Sequence, residues 1–372
     1  METISFLKLS TENPPEPRFC CAGVYVREYN SIFIHGGTGI NSDLKDFYSF
    51  DLETSKWYKR GATPECLTGH AAVEIDSRIL MFGGWNEQEY TNSCILYDPE
   101  DSSLRKGNDQ NMIDEWNLPA QRRDHSFTKA KDCIYLLGGW DSFKWNNTNT
   151  NPKNNINQIT YTQLWKLTDL WKWQVCEVFG EPPMSRRGHS MTYFEEQDYL
   201  AVFGGIYGFS RLLDDLYIFN IPQMMWVKIN ANNSPSKRAW HSAACLDNKM
   251  YIFGGVTENN GISNELFSYS ILENMWEKYE INSLPSPRCG HISLAIDGFI
   301  MIFGGKTTHD VPLNEVYVLN FNRNYEEYIT RVSNAQIKQE LHDLKIVPPP
   351  IPIGLTVSRY YKPKISFNPN NF

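Results

Sequence analysis

Six times the chain ends a run of apolar residues on a pair of glycines, at Gly36-Gly37, Gly83-Gly84, Gly138-Gly139, Gly204-Gly205, Gly254-Gly255 and Gly304-Gly305. Successive pairs are 47, 55, 66, 50 and 50 residues apart. A period near 50 marks a repeat architecture, in which no unit buries its own core and each must stack on its neighbours. About nine residues after each pair a second strand begins, usually opened by an acid or Asn, as at Asp46, Asp215 and Asn314-Glu315. Five or six residues past that strand stands an aromatic: Trp57, Trp173, Trp226, Trp276 and Tyr325, with Leu104 in the second unit. An outer-strand Trp there is expected to cover the edge of its unit and keep its N–H near a partner.

Ahead of each pair lies another strand, introduced by Arg-x-x-His at Arg122–His125, Arg186–His189, Arg238–His241 and Arg288–His291. The first unit keeps Arg18 but has Cys21 for His, and the second keeps His70 but has Leu67 for Arg. Double glycine, spaced aromatic and Arg-x-x-His together resemble the Kelch repeat, over about residues 16–330. The resemblance implies an all-β fold, a six-bladed Kelch β-propeller of four-stranded antiparallel blades around a channel. Residues 1–330 are expected to form the propeller. Residues 331–372 are expected to form a tail with a short helix over 333–345, a Pro-rich segment at Pro348–Pro352 and an end bearing Arg359, Lys362 and Lys364. The 372 residues on their own allow two or three domains; six stacked units reduce that to one propeller and a tail.

Closing such a ring takes a strand from one chain end. Phe6 precedes Arg18 by 12 residues, the same interval that separates Trp226 from Arg238 and Trp276 from Arg288. Tyr325–Ile329 matches Trp276–Glu280 equally well, and the expectation leans to this C-terminal segment.

The loop after each glycine pair and the loop between units emerge on one face. There the third unit carries an Asn-rich insertion from Asp141 onward, and the second has extra residues before Arg122, including Trp116. Arg18, Arg122, Arg186, Arg238 and Arg288 start the inner strands on this face, and guanidinium forks suit carboxylates. Either they ring the channel mouth as a positive well for an acidic partner, or each pairs with a neighbouring acid or backbone and braces the ring. In the fourth unit, Arg211 lies six residues after the second glycine and Trp240 directly before His241. Both match Kelch receptors that read C-terminal degrons, whereas Ile206 and Ala239 depart from the Arg and small hydroxyl residue those receptors also use. Tyr207, Trp85 and Trp140 are further candidates for a stacking wall at the mouth.

A net charge of −8 argues against a general nucleic-acid surface. No run approaches 18 apolar residues, so no membrane partner is expected. No basic stretch precedes an apolar one at residues 1–8, and the expected location is cytoplasmic, with the nucleus a second option. The eight cysteines form no Cys-x-x-Cys pair and read as buried free thiols. Five histidines recur at one repeat position, which favours structural hydrogen bonding over a metal site. No HExxH, G-x-S-x-G or P-loop is present. No cofactor and no catalytic residue are expected. The expected function is a protein-interaction module that takes a peptide or protein partner with carboxylate or acidic groups at an Arg-lined face. One alternative is a substrate receptor of a cullin-type ubiquitin ligase, and another is a metal- or small-molecule-dependent propeller enzyme.

Overall fold

A computed structural model describes residues 4–106, 118–141, 162–258, 261–321 and 325–330. Six antiparallel sheets form the blades. Blade one comprises Ala22–Val26, Ser31–His35, Asp46–Asp51 and Lys56–Ala62. Blade two comprises Ala71–Ile75, Arg78–Phe82, Cys94–Tyr97 and Leu104–Lys106. Blade three runs Ser126–Ala130, Cys133–Leu137, Trp165–Leu167 and Trp173–Val175. Blade four is Ser190–Phe194, Tyr199–Phe203, Leu216–Asn220 and Met225–Ile229, with Phe179–Gly180 added in parallel at its edge. Blade five is Ser242–Leu246, Lys249–Phe253, Leu266–Ser270 and Met275–Tyr279. The innermost strands touch one another around the whole circle, including the first against the last.

Blade six settles the closure. Ile292–Ile296, Phe299–Phe303 and Val316–Phe321 supply three strands, and Ile4–Lys8 supplies the fourth, antiparallel to Val316–Phe321. The lean toward the C-terminal segment is therefore wrong. Residues 325–330 are helical, with the Tyr325 N–H donating to Asn320 Oδ1. Helical spacing puts Tyr325 and Tyr328 on one side, both against Phe299 at 5.1 and 5.2 Å. Phe6 takes the repeat aromatic position instead. It lies 5.3 Å from Phe253, as Trp57 lies 5.0 Å from Phe303, Trp173 5.2 Å from Phe82 and Trp276 4.8 Å from Phe203. Each of these rings meets the residue before the glycine pair of the preceding blade. The tryptophans thus work between blades and are buried, and Trp57, Trp226 and Trp276 leave Nε1 without a hydrogen-bond partner among the described residues.

The second strand of each blade is apolar at nearly every position because another blade covers each of its faces. Separate apolar clusters fill the gaps between consecutive blades. At the glycine pairs, neighbouring chains come too close for a side chain. At the first-to-last junction, a Cβ on Gly304 would lie 2.8 Å from the Arg18 carbonyl oxygen, and the Gly305 N–H donates to that same oxygen at 2.9 Å. Both glycines also hold positive φ, +70° and +91°. The other five pairs make the same bond to the next blade.

The compact unit containing the propeller spans Met1–Ile329; of the second unit, Thr330–Phe372, only Thr330 is described. The Asn-rich insertion beyond Asp141, Trp116, the helix expected over 333–345, and the Pro-rich and basic segments after it lie outside the described residues. No helix among the described residues is long and apolar enough to cross a membrane. All eight cysteines are free; Cys21, Cys94, Cys176 and Cys289 are buried, and the others are half-buried.

Candidate functional site

The five repeat arginines do not face a partner. Arg18, Arg122, Arg238 and Arg288 are 0% exposed and Arg186 is 2% exposed. Each turns back into its own blade and donates to the carbonyl of the first glycine: Gly36, Gly138, Gly204, Gly254 or Gly304. Four also pair with the acid that opens the third strand: Arg18 with Asp46, Arg186 with Asp215, Arg238 with Glu265 and Arg288 with Glu315. Bonds of Arg186 to Asp215 at 2.6 and 3.1 Å form a two-pronged fork. A buried guanidinium needs these partners, and having them it presents nothing to a ligand. The bracing alternative therefore describes all five, and the acid at four of the third strands was the signal for it.

The repeat histidines also serve the junctions. Nε2 of His189, His241 and His291 lies 2.7–2.9 Å from a serine hydroxyl of the preceding blade: Ser126, Ser190 and Ser242. His70 meets His35 at 2.9 Å, because Ala22 stands where those blades have Ser. Burial holds these imidazoles well below their ordinary pKa, His70 and His241 at about 3, so they are neutral. Among the described residues no three His, Cys, Asp or Glu groups are placed to hold a metal.

Between the Arg and His positions stand two further residues in every blade. The residue just before the histidine position is Cys20, Gly69, Asp124, Gly188, Trp240 or Gly290, all at positive φ. Their backbones form a closed circle of six N–H···O=C bonds of 2.7–2.9 Å, running Cys20, Gly290, Trp240, Gly188, Asp124, Gly69 and back to Cys20. Side chains and glycines alternate around it. Trp240 (φ +50°) is a strained conformation for a bulky residue, and its indole folds over Gly188, where a Cβ would meet Nε1 at 3.0 Å. The circle floors the mouth.

One position earlier lies Arg187, whose backbone pairs with Ile206. Its guanidinium carbon sits 4.3 Å from the centre of the Trp140 ring and 5.8 Å from that of Trp240. Nε is buried without a hydrogen-bond partner, and among the described residues Arg187 forms no ion pair. Desolvation lowers its pKa from the ordinary arginine value, partly offset by Asp124. Trp140 is 9% exposed, and Phe209, 63% exposed, stands edge-on to it at 5.4 Å. Phe209 tips a ribbon in which Tyr207 pairs with Arg211, which is exposed. Trp85 stacks edge-on with Tyr90 at 4.9 Å in blade two. Of the expected residues, the structure thus gathers Trp140 and Trp240 around one guanidinium, sets Tyr207 and Arg211 on the neighbouring ribbon, and leaves Trp85 in its own blade's loop. Sequence reasoning missed Arg187. Its signal was the Arg186-Arg187 doublet, in which only the first member follows the repeat.

Comparison with known proteins agrees with the fold. The profile described as the KLHDC2/KLHL20/DRC7 Kelch-repeats domain matches residues 2–164 and 149–347. Host cell factor of Drosophila melanogaster is 27% identical over 259 residues, 64% of this chain and 16% of that protein. Host cell factor 2 of Homo sapiens is 29% identical over 248 residues, 64% of this chain and 30% of that protein. Acyl-CoA-binding domain-containing protein 5 of Arabidopsis thaliana is 24% identical over 260 residues, 64% of this chain and 36% of that protein. The aligned stretch is thus about a third or less of each relative. The solved structure of YjhT superposes with a TM-score of 0.66 at 17% identity, covering 83% of this chain and 97% of that one. Six blades closed by paired glycines, buried arginines and inter-blade histidines, together with a profile that spans nearly the whole propeller, make this chain a member of the Kelch-repeat family.

Proposed function

We propose that the chain is a protein-interaction module whose mouth between blades three, four and five takes a carboxylate of a peptide or protein partner on Arg187. The observation that carries this reading is a desolvated guanidinium held between two indoles with no ion-pair partner among the described residues. The repeat arginines of the described ring each have a carboxylate or carbonyl partner, whereas the part-buried Arg187 has no ion pair among the described residues. The Trp140 and Trp240 rings fix its plane, so little side-chain freedom is lost on binding. Phe209 adds an exposed apolar contact beside the charge, and Arg211 a second cation at the rim. Service as a substrate receptor of a ubiquitin ligase is a second reading, favoured by Trp240 standing in the mouth where degron-reading Kelch receptors carry it.

Affinity purification from the native cell with wild-type, Arg187→Ala and Arg211→Ala proteins tests the reading. Partners captured by the wild type are expected to be lost with Arg187→Ala and weakened with Arg211→Ala. Identical partner sets across the three would place the interaction elsewhere on the propeller.

A further inference from the structure

Arg187 is not the only charge at the floor. Arg123, one position before its ring residue just as Arg187 is, donates through Nε to its neighbour Asp124 at 3.1 Å. The Asp124 side chain is 3% exposed and folds over Gly69. The backbones interlock, with the Gly188 N–H donating to the Asp124 carbonyl at 2.8 Å. Arg123 exchanges two backbone bonds with Trp140, the residue that stacks on Arg187. Two guanidiniums and one buried carboxylate therefore share the floor, a net charge of +1. The carboxylate is already matched by Arg123.

We infer that Asp124 sets the charge selectivity of this mouth, so that it admits a singly charged anion such as a carboxylate and rejects a doubly charged one such as a phosphorylated side chain. The inference rests on the reading of Arg187 as the anion site. One incoming negative charge brings the floor to neutrality. A second meets the Asp124 carboxylate, which is 3% exposed and so little screened by water. The sister position in blade four is Gly188, so nothing else in the repeat demands an acid there.

Binding of three small probes at pH 8 by saturation-transfer NMR tests this. Acetylglycine and methyl phenyl phosphate carry one negative charge; phenyl phosphate carries nearly two. Wild-type protein should bind the two monoanions at least tenfold tighter than phenyl phosphate. Asp124→Asn, which keeps the side-chain shape and tolerates the left-handed backbone, should gain at least tenfold for phenyl phosphate and less for the monoanions. Arg187→Ala should abolish all binding. If no probe binds, or binding survives Arg187→Ala, the anion site itself is wrong. If binding needs Arg187 but phenyl phosphate binds as well as its methyl ester, the role of Asp124 is wrong and the anion site stands. The comparison of phenyl phosphate with its ester is made in the wild type, so it decides the matter even where Asp124→Asn does not fold.

Discussion

Arg186 and Arg187 are adjacent in the chain and have opposite roles. Arg186 is buried and bonded to both oxygens of Asp215 and to the Gly204 carbonyl. Removing it strands a carboxylate that is itself only 12% exposed, which costs about 3–5 kcal/mol. Arg187 loses only its stacking on Trp140 and Trp240 when cut back, about 1 kcal/mol. Urea denaturation should therefore show Arg186→Ala strongly destabilised and Arg187→Ala near wild type, while partner capture shows Arg187→Ala as the deficient variant. Equal stability losses would mean that Arg187 is a brace as well. The contrast also explains what the sequence conceals. Arg186 is conspicuous because it repeats, and it repeats because every blade needs the same clamp between first glycine and third strand. At the next position the blades carry Phe19, Thr68, Arg123, Arg187, Ala239 and Cys289. That freedom is possible because the backbone there bonds to the residue after the glycine pair whatever the side chain is. Periodicity therefore finds the frame, and the proposed site stands at positions that break it.

At the level of elements, the twelve-residue interval from Phe6 to Arg18 was the better guide to closure, and the match at Tyr325 misled. The interval measures the reach from an outer strand to the start of the next blade, and the closing step repeats the twelve residues of the two steps before it. The match at Tyr325–Ile329 compares only side chains, and Tyr-x-x-Tyr satisfies a helix as well as a strand. What separates them is Phe299, against which both tyrosines pack at helical spacing, and that contact is not visible along the chain. The N-terminal strand also covers the free edge of Val316–Phe321 and holds a Lys8–Glu315 ion pair beside Arg288. Phe6→Ala should lower stability by about 2 kcal/mol through lost apolar burial against Phe253. Deletion of residues 1–9 should lower the melting temperature further and shift the protein toward oligomers on size exclusion, since an exposed strand edge pairs with other chains. An unchanged melt and a monomeric profile after that deletion would show that the ring closes without this strand.

On the scale of the whole molecule, the ring is joined through uncharged imidazoles. His35, His70, His125, His189, His241 and His291 are all buried, and desolvation is the leading cause of lowered pKa for each. His70 and His241 fall to about 3. In the unfolded chain each takes up a proton near pH 6.5. The folded pKa is thus depressed, so the unfolded state binds more protons between about pH 3 and pH 6.5, and stability falls as pH falls through that window. For His70 and His241 the loss between pH 6.5 and 5 amounts to about 2 kcal/mol each. The remaining four shift the same way, so the losses at successive junctions accumulate. The carboxylates clamped by arginines, Glu265 and Glu315, are held below their ordinary range, and their contribution is lost only at still lower pH, so the window from 6.5 to 5 isolates the histidines. Chemical denaturation at intervals between pH 8 and pH 5 should show stability nearly level close to pH 8 and then falling, with a slope that passes two protons taken up on unfolding below about pH 7. A slope of one proton or less would mean that these histidines are charged in the folded ring or already neutral in the unfolded chain, and the junctions would then owe their cohesion to the apolar clusters and glycine contacts alone.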